Sequence, residues 1–270
     1  MQMQFRSWAI MASATITVLA LAMPPAAAQQ GYRPPRLANG KPNLNGIWQA
    51  LNTANWDLQD HVSAASPVVA AGTYAAEPGG PGVVEGGEIP YLPAALEKKK
   101  ANAEHKMALD PEVRCYLPGV PRATYMPYPF QIFQSDKAFF IAYEYDGATR
   151  NVFLKDPGPA PADSWMGQSY GKWEGDTFVV DVTGLDERTW FDRAGDFHSD
   201  ALHVVERYTL TGPDTMHYEA TIEDPKVYSR PWKISMPLYR HVEKNARLME
   251  FKCVEFVEDL MYGEFTKKPK

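Results

Sequence analysis

The sequence predicts a mainly β protein, an antiparallel barrel or sandwich. Four segments after Tyr128 alternate apolar and polar residues with period two, short turns divide them, and only one stretch reads as a helix. Period-two alternation puts one set of side chains inward and the other outward on a strand, and short turns make successive strands antiparallel neighbours. The 270 residues are 45% hydrophobic, 12% aromatic and 22% charged, a composition that excludes a mainly disordered or collagen-like chain. A formal charge of −6 without a long basic block argues against nucleic acid as a partner.

The N-terminus reads as an address. Arg6 precedes an apolar run from Trp8 to Met23, then Ala26, Ala27 and Ala28, then polar Gln29 and Gln30. A positive start, an apolar middle and small residues for the peptidase are the order of a secretory signal peptide. The run is shorter than the ~20 apolar residues of a spanning helix and is interrupted by Ser13, Thr15 and Thr17. The expectation is cleavage near Ala28 and a periplasmic or secreted protein with no membrane span afterwards.

From residue 29 to 122 the chain reads as an irregular wrap. Tyr32-Arg33-Pro34-Pro35, Glu77-Pro78-Gly79-Gly80-Pro81-Gly82 and Gly86-Gly87 resist regular structure, because Pro removes donors and Gly costs backbone entropy. Gly46–Leu51 suits a strand, and Ala94–Met107 suits a helix starting just inside Pro93. Residues 123–270 form the barrel body, in one domain with 29–122. Its alternating sets are Phe139, Ile141, Tyr143 and Tyr145; Phe178, Val180 and Val182; Met216, Tyr218, Ala220 and Ile222; and Trp232, Ile234, Met236 and Leu238. Glu174-Gly175-Asp176, Gly212-Pro213-Asp214 and Asp224-Pro225 are the turns.

Gly46-Ile47-Trp48 resembles the Gly-x-Trp of the first strand in lipocalins and other calycin barrels. That resemblance implies an Arg late in the barrel packing over Trp48, a role open to Arg240 or Arg247. Cys115–Arg122, Trp173–Thr177, His198–Arg207 and Thr221–Pro225 are similar to stretches shared by a group of exported bacterial proteins of unassigned function. The fold expectation is therefore a calycin (lipocalin)-like antiparallel β-barrel with an irregular N-terminal extension and one helix.

Cys115 and Cys253 are an even pair in an oxidising compartment, so one disulfide is expected, tying the irregular first half to the last strand. Two cysteines cannot by themselves build a four-thiolate zinc site or an iron–sulfur cluster.

Gly184–Asp200 is the most informative segment. Loops of this length in compact domains tend to be functional or disordered, and Trp190, Phe191 and Phe197 give this one apolar area to bury. Asp192, Asp196, His198 and Asp200 place acids around one imidazole, the usual acid/base unit near neutral pH. On the next strand Glu206 is the only charge on the apolar face of Leu202, Val204, Tyr208 and Leu210. A carboxylate there must pair, bind a cation or protonate, so Glu206 is either an acid/base group or the partner of Arg122, Arg150 or Arg230. His198 and His203 are spaced wrongly for a helical zinc motif, and Asp192–His203 fails the calcium-loop pattern. Nucleophile elbows, phosphate loops and dinucleotide fingerprints are absent from the sequence.

Aromatic residues supply the ligand side. Tyr125, Tyr128 and Trp165 lie in Pro/Gly-flanked loops, with Tyr143, Trp190 and His203 as further candidates, and Arg122 either meets an anionic group or anchors its turn. The expected function is a small-molecule-binding barrel performing cofactor-independent acid/base chemistry of isomerase, hydratase or lyase type on an apolar or aromatic substrate. His198 is the main acid/base there, Asp192 or Asp200 orients it, and Glu206 is a second acid/base. The alternatives are a non-catalytic periplasmic carrier of an apolar ligand and a metal-dependent enzyme using His198 and His203. The oligomeric state is open.

Overall fold

The alternating segments of the second half close into a barrel. The computed structural model describes residues 32–65 and 76–262; the signal peptide expected at residues 1–28 lies outside them. Nine strands follow one another around the ring: β1 (Gly46–Ala50), β2 (Phe130–Gln134), β3 (Phe139–Tyr143), β4 (Thr149–Phe153), β5 (Gln168–Glu174), β6 (Thr177–Thr183), β7 (His203–Leu210), β8 (Thr215–Glu223) and β9 (Trp232–Arg240). β9 pairs back onto β1 and leaves no open edge. The barrel is mixed rather than wholly antiparallel, because β4 and β5 run parallel. An odd number of strands cannot alternate direction all the way round a closed ring, so one parallel pair is required. The connection 154–167 makes the crossover that a parallel pair needs.

The period-two sets read from the sequence face the core. Phe178, Val180, Val182, Val204, Tyr208, Tyr218, Ala220, Ile222, Ile234 and Leu238 are all completely buried. Tyr143 ends β3, and Tyr145 belongs to a short 3-10 turn rather than to a longer strand. β1 is fixed by Trp48, whose indole Nε1 donates to the Leu44 carbonyl at 2.9 Å. The Arg240 guanidinium lies 4.2 Å from the Trp48 ring centre and donates to the Asn45 carbonyl. Gly46 sits there at φ +143°, a backbone conformation that residues with a Cβ rarely adopt.

The N-terminal extension wraps the barrel through isolated bridges, Val84 to Ile234 and Tyr91 to Tyr228. The expected helix is α1 (Pro93–Glu104), started by its proline, followed by the single turn α2 (Lys106–Leu109). Two more short helices are α3 (Arg122–Tyr125) and α4 (Val257–Tyr262). Cys115 and Cys253 form a disulfide with Cα atoms 5.6 Å apart. Cys253 lies in the tail beyond β9, not in the last strand, so the bond ties that tail to the wrap. Among the described residues no helix is long and apolar enough to cross a membrane.

Candidate functional site

The loop between β6 and β7 packs as an interior layer. Trp190, Phe191 and Phe197 are buried as expected, and Thr189, Asp192, Asp196 and His198 are buried with them. This brings chemistry-bearing groups inside, but not in the grouping that the loop sequence suggests.

His198 is saturated. Its Nδ1 faces the Ser199 carbonyl at 2.8 Å, an acceptor only, so Nδ1 carries the proton. Nε2 then accepts from Thr189 Oγ1 at 2.5 Å. Burial holds the imidazole below its ordinary pKa, which keeps this neutral tautomer at pH 7. Among the described residues no hydrogen bond joins it to Asp192 or Asp200. Asp192 accepts backbone amides from Leu58 at 2.9 Å and Asp196 at 3.1 Å, and exposed Asp200 pairs with Lys226 at 2.5 Å. His203 lies on the outer face of β7, 3.0 Å from Asp181 and 3.8 Å from Glu223, so it shares no site with His198.

Glu206 is held by Arg150, one of the three arginines open to it. Arg150 Nη2 donates to Glu206 Oε2 at 2.6 Å, and the Tyr208 and Tyr218 hydroxyls donate to Oε1 at 2.9 and 2.8 Å. Arg150 also donates to Ser169 Oγ and to the Tyr143 hydroxyl. Every atom of that cluster is satisfied, and the charge is spent on barrel architecture.

Arg122 anchors its turn. It forks onto Asp110 at 2.9 and 3.0 Å, and donates to Glu112 and Asn55 at 2.8 Å each. Arg193 reaches the same Glu112 at 2.8 and 3.0 Å. Burial alone raises the Glu112 carboxyl, but the charges of Arg193 and Arg122 outweigh it and hold Glu112 below its usual value. Tyr125 is buried, its hydroxyl donating to the Phe191 carbonyl at 2.8 Å. Trp165 stacks on Tyr116 with ring centres 4.7 Å apart, and the Arg188 guanidinium lies 4.5 Å from the Trp165 ring.

Two cavities adjoin these groups. The first, about 450 Å³, has Tyr128, Tyr145 and Phe251 along one side, Glu112 and Arg193 at a polar end, and Cys253, Val254, Phe256 and Val257 of the tail along another. The second, about 490 Å³, lies between α1 and the wrap and includes Tyr91, Lys99, Ser229 and Arg230. Beneath it the Tyr91 hydroxyl donates to Asp196 Oδ1 at 2.6 Å, and Lys99 Nζ stands 4.0 Å from Asp196 Oδ2. Burial first, and then the Asp196 charge, push Asp192 well above the ordinary aspartate range.

Of the residues named from the sequence, Tyr128 lines the first cavity, and Asp192 and Asp196 lie together in the buried layer. Tyr91, Lys99, Asp57 and Phe251, which adjoin them, lie in the wrap, in α1 and in the tail, where no local pattern marks them. Fold and cavities together define a disulfide-tied, closed β-barrel protein with a filled core and cavities beside it. No family model, curated protein or solved structure matches the chain.

Proposed function

We propose that the chain is an exported binding protein for a flat, apolar or aromatic ligand, seated in the 450 Å³ cavity beside Tyr128. One observation carries this reading: the rings of Tyr128, Tyr145 and Phe251 converge on that cavity, with centroids 4.9 to 5.6 Å apart. The volume suits a small organic molecule, the ring faces suit flat ligands, and Arg193 with Glu112 gives one polar end for orientation. The disulfide supports an oxidising compartment and agrees with the signal-peptide pattern of residues 1–28. Arg240 stacked on Trp48 favours a calycin-type barrel, with the ligand held against the outside of the filled core.

The test is a fluorescence titration with 2-naphthoate as probe. Tyr128→Ala and Phe251→Ala are expected to weaken binding at least tenfold. Equal affinity in both variants contradicts the assignment.

Acid/base catalysis is a second reading, favoured by a separate observation. Tyr91 and Lys99 meet Asp196 beside the second cavity, where Arg230 offers a charge to an anionic substrate. Its signature is exchange of deuterium from D₂O into the carbon next to a carbonyl, followed by NMR over a panel of keto acids. Exchange that disappears in Tyr91→Phe supports catalysis, and no exchange in the wild type removes it.

A further inference from the structure

Asp57, Asp192 and Asp196 each place one carboxylate oxygen within 4.8 Å of the others. Asp192 and Asp196 are completely buried, and Asp57 is half-buried. Among the described residues this is the sole group of three or more acidic, histidine or cysteine ligands so arranged, and neither His198 nor His203 belongs to it.

The cluster is held in place from outside. Backbone amides of Leu58 and Asp196 occupy one lone pair on each oxygen of Asp192, and Gln59 N donates to Asp57 at 2.8 Å. The Tyr91 hydroxyl takes Asp196 Oδ1. Asp196 Oδ2 is left buried with no hydrogen-bond partner. The nearest cation to it is Lys99 at 4.0 Å, one charge against three carboxylates. Buried carboxylates need a compensating charge or a proton, and Asp196 Oδ2 is the atom of this cluster still open to either.

We infer that Asp57, Asp192 and Asp196 form a binding site for one divalent cation of the hard, oxygen-seeking class, such as calcium. Three oxygens no more than 4.8 Å apart have a common point within about 2.8 Å of each, so one cation placed there reaches all three with at most small side-chain shifts, and the flexible oxygen shell of calcium accepts such a set. An all-carboxylate donor set also suits calcium better than zinc, which prefers histidine and cysteine. Tyr91 and Lys99, which both reach Asp196, line the second cavity, so the cluster lies one side chain beneath it. The inference stands independently of ligand binding beside Tyr128, and it shares Asp196 with the acid/base reading.

Isothermal titration of the full chain, stripped with EDTA and titrated with calcium chloride, tests it. The expected result is one calcium per chain, with affinity at least tenfold weaker in both Asp57→Asn and Asp196→Asn. Far-ultraviolet circular dichroism confirms that each variant is folded, and calcium is expected to raise the melting temperature of the wild type alone. No binding by the wild type at millimolar calcium overturns the inference. So does binding undiminished in either variant, which assigns the ion to the acidic surface instead.

Discussion

Arg150 Nη2 meets Glu206 Oε2 at 2.6 Å inside the barrel, with at most 1% of either side chain exposed. The pair joins β4 to β7 across the interior, and Ser169 ties the same guanidinium to β5, beside the parallel seam. Removing one member of such a pair leaves the other buried and uncompensated. Glu206→Ala is expected to destabilise the fold by about 3–5 kcal/mol, read from urea unfolding. A loss under about 1 kcal/mol means that the pair is not a structural one.

Glu112 makes stability depend on acid. Its carboxyl is held below the ordinary value by Arg193 and Arg122, against burial. A depressed carboxylate contributes stability that is complete above its unfolded pKa, about 4.3, and is lost as pH falls through the folded value. The melting temperature of the wild type is expected to fall more steeply below about pH 4.3 than that of Glu112→Gln. Parallel slopes in that window contradict the assignment.

Asp196 Oδ2 is buried without a hydrogen-bond partner, with Lys99 Nζ 4.0 Å away. Asparagine keeps an acceptor for Tyr91 and offers an N–H to the neighbouring carboxylate in place of the unpartnered Oδ2. Asp196→Asn is therefore expected to stabilise the calcium-free protein by about 1–2 kcal/mol, a rise of roughly 2–8 °C in melting temperature for a chain of this size. Stability exchanged for a binding function is a recurring trade. A fall in melting temperature contradicts the account of that oxygen.

The disulfide closes a loop of 138 residues. The chain-entropy model attaches about 5 kcal/mol to a loop of that length. Cys115→Ser with Cys253→Ser is expected to lower the urea midpoint and also to weaken 2-naphthoate binding, because Cys253, Val254, Phe256 and Val257 line the first cavity. Naphthoate affinity unchanged in the double variant separates the tail from the site.

The parts of the fold legible in the sequence are those set by local pattern. Strands β6 to β9 show their buried faces as unbroken period-two sets, and Pro93 marks the start of α1. β5 stays hidden because Ser169 and Gly171 occupy its buried positions. Gly171 is required there, since a Cβ would press on Phe178 and Val152. The parallel seam is invisible for another reason: strand direction follows from the count around the ring, not from any one segment. The candidate site shows the same division. Neighbours in the loop such as His198, Asp192 and Asp200 turn to different partners, while Asp57 joins Asp192 from the distant wrap. Only the closed structure brings those carboxylates together.

The most direct test of ligand binding beside Tyr128 is native mass spectrometry of the protein purified without denaturation. The account predicts a copurified small organic molecule on the wild type and its absence from the Tyr128→Ala, Phe251→Ala double variant. A wild type that carries no adduct, or a double variant that keeps it, contradicts the assignment of that cavity.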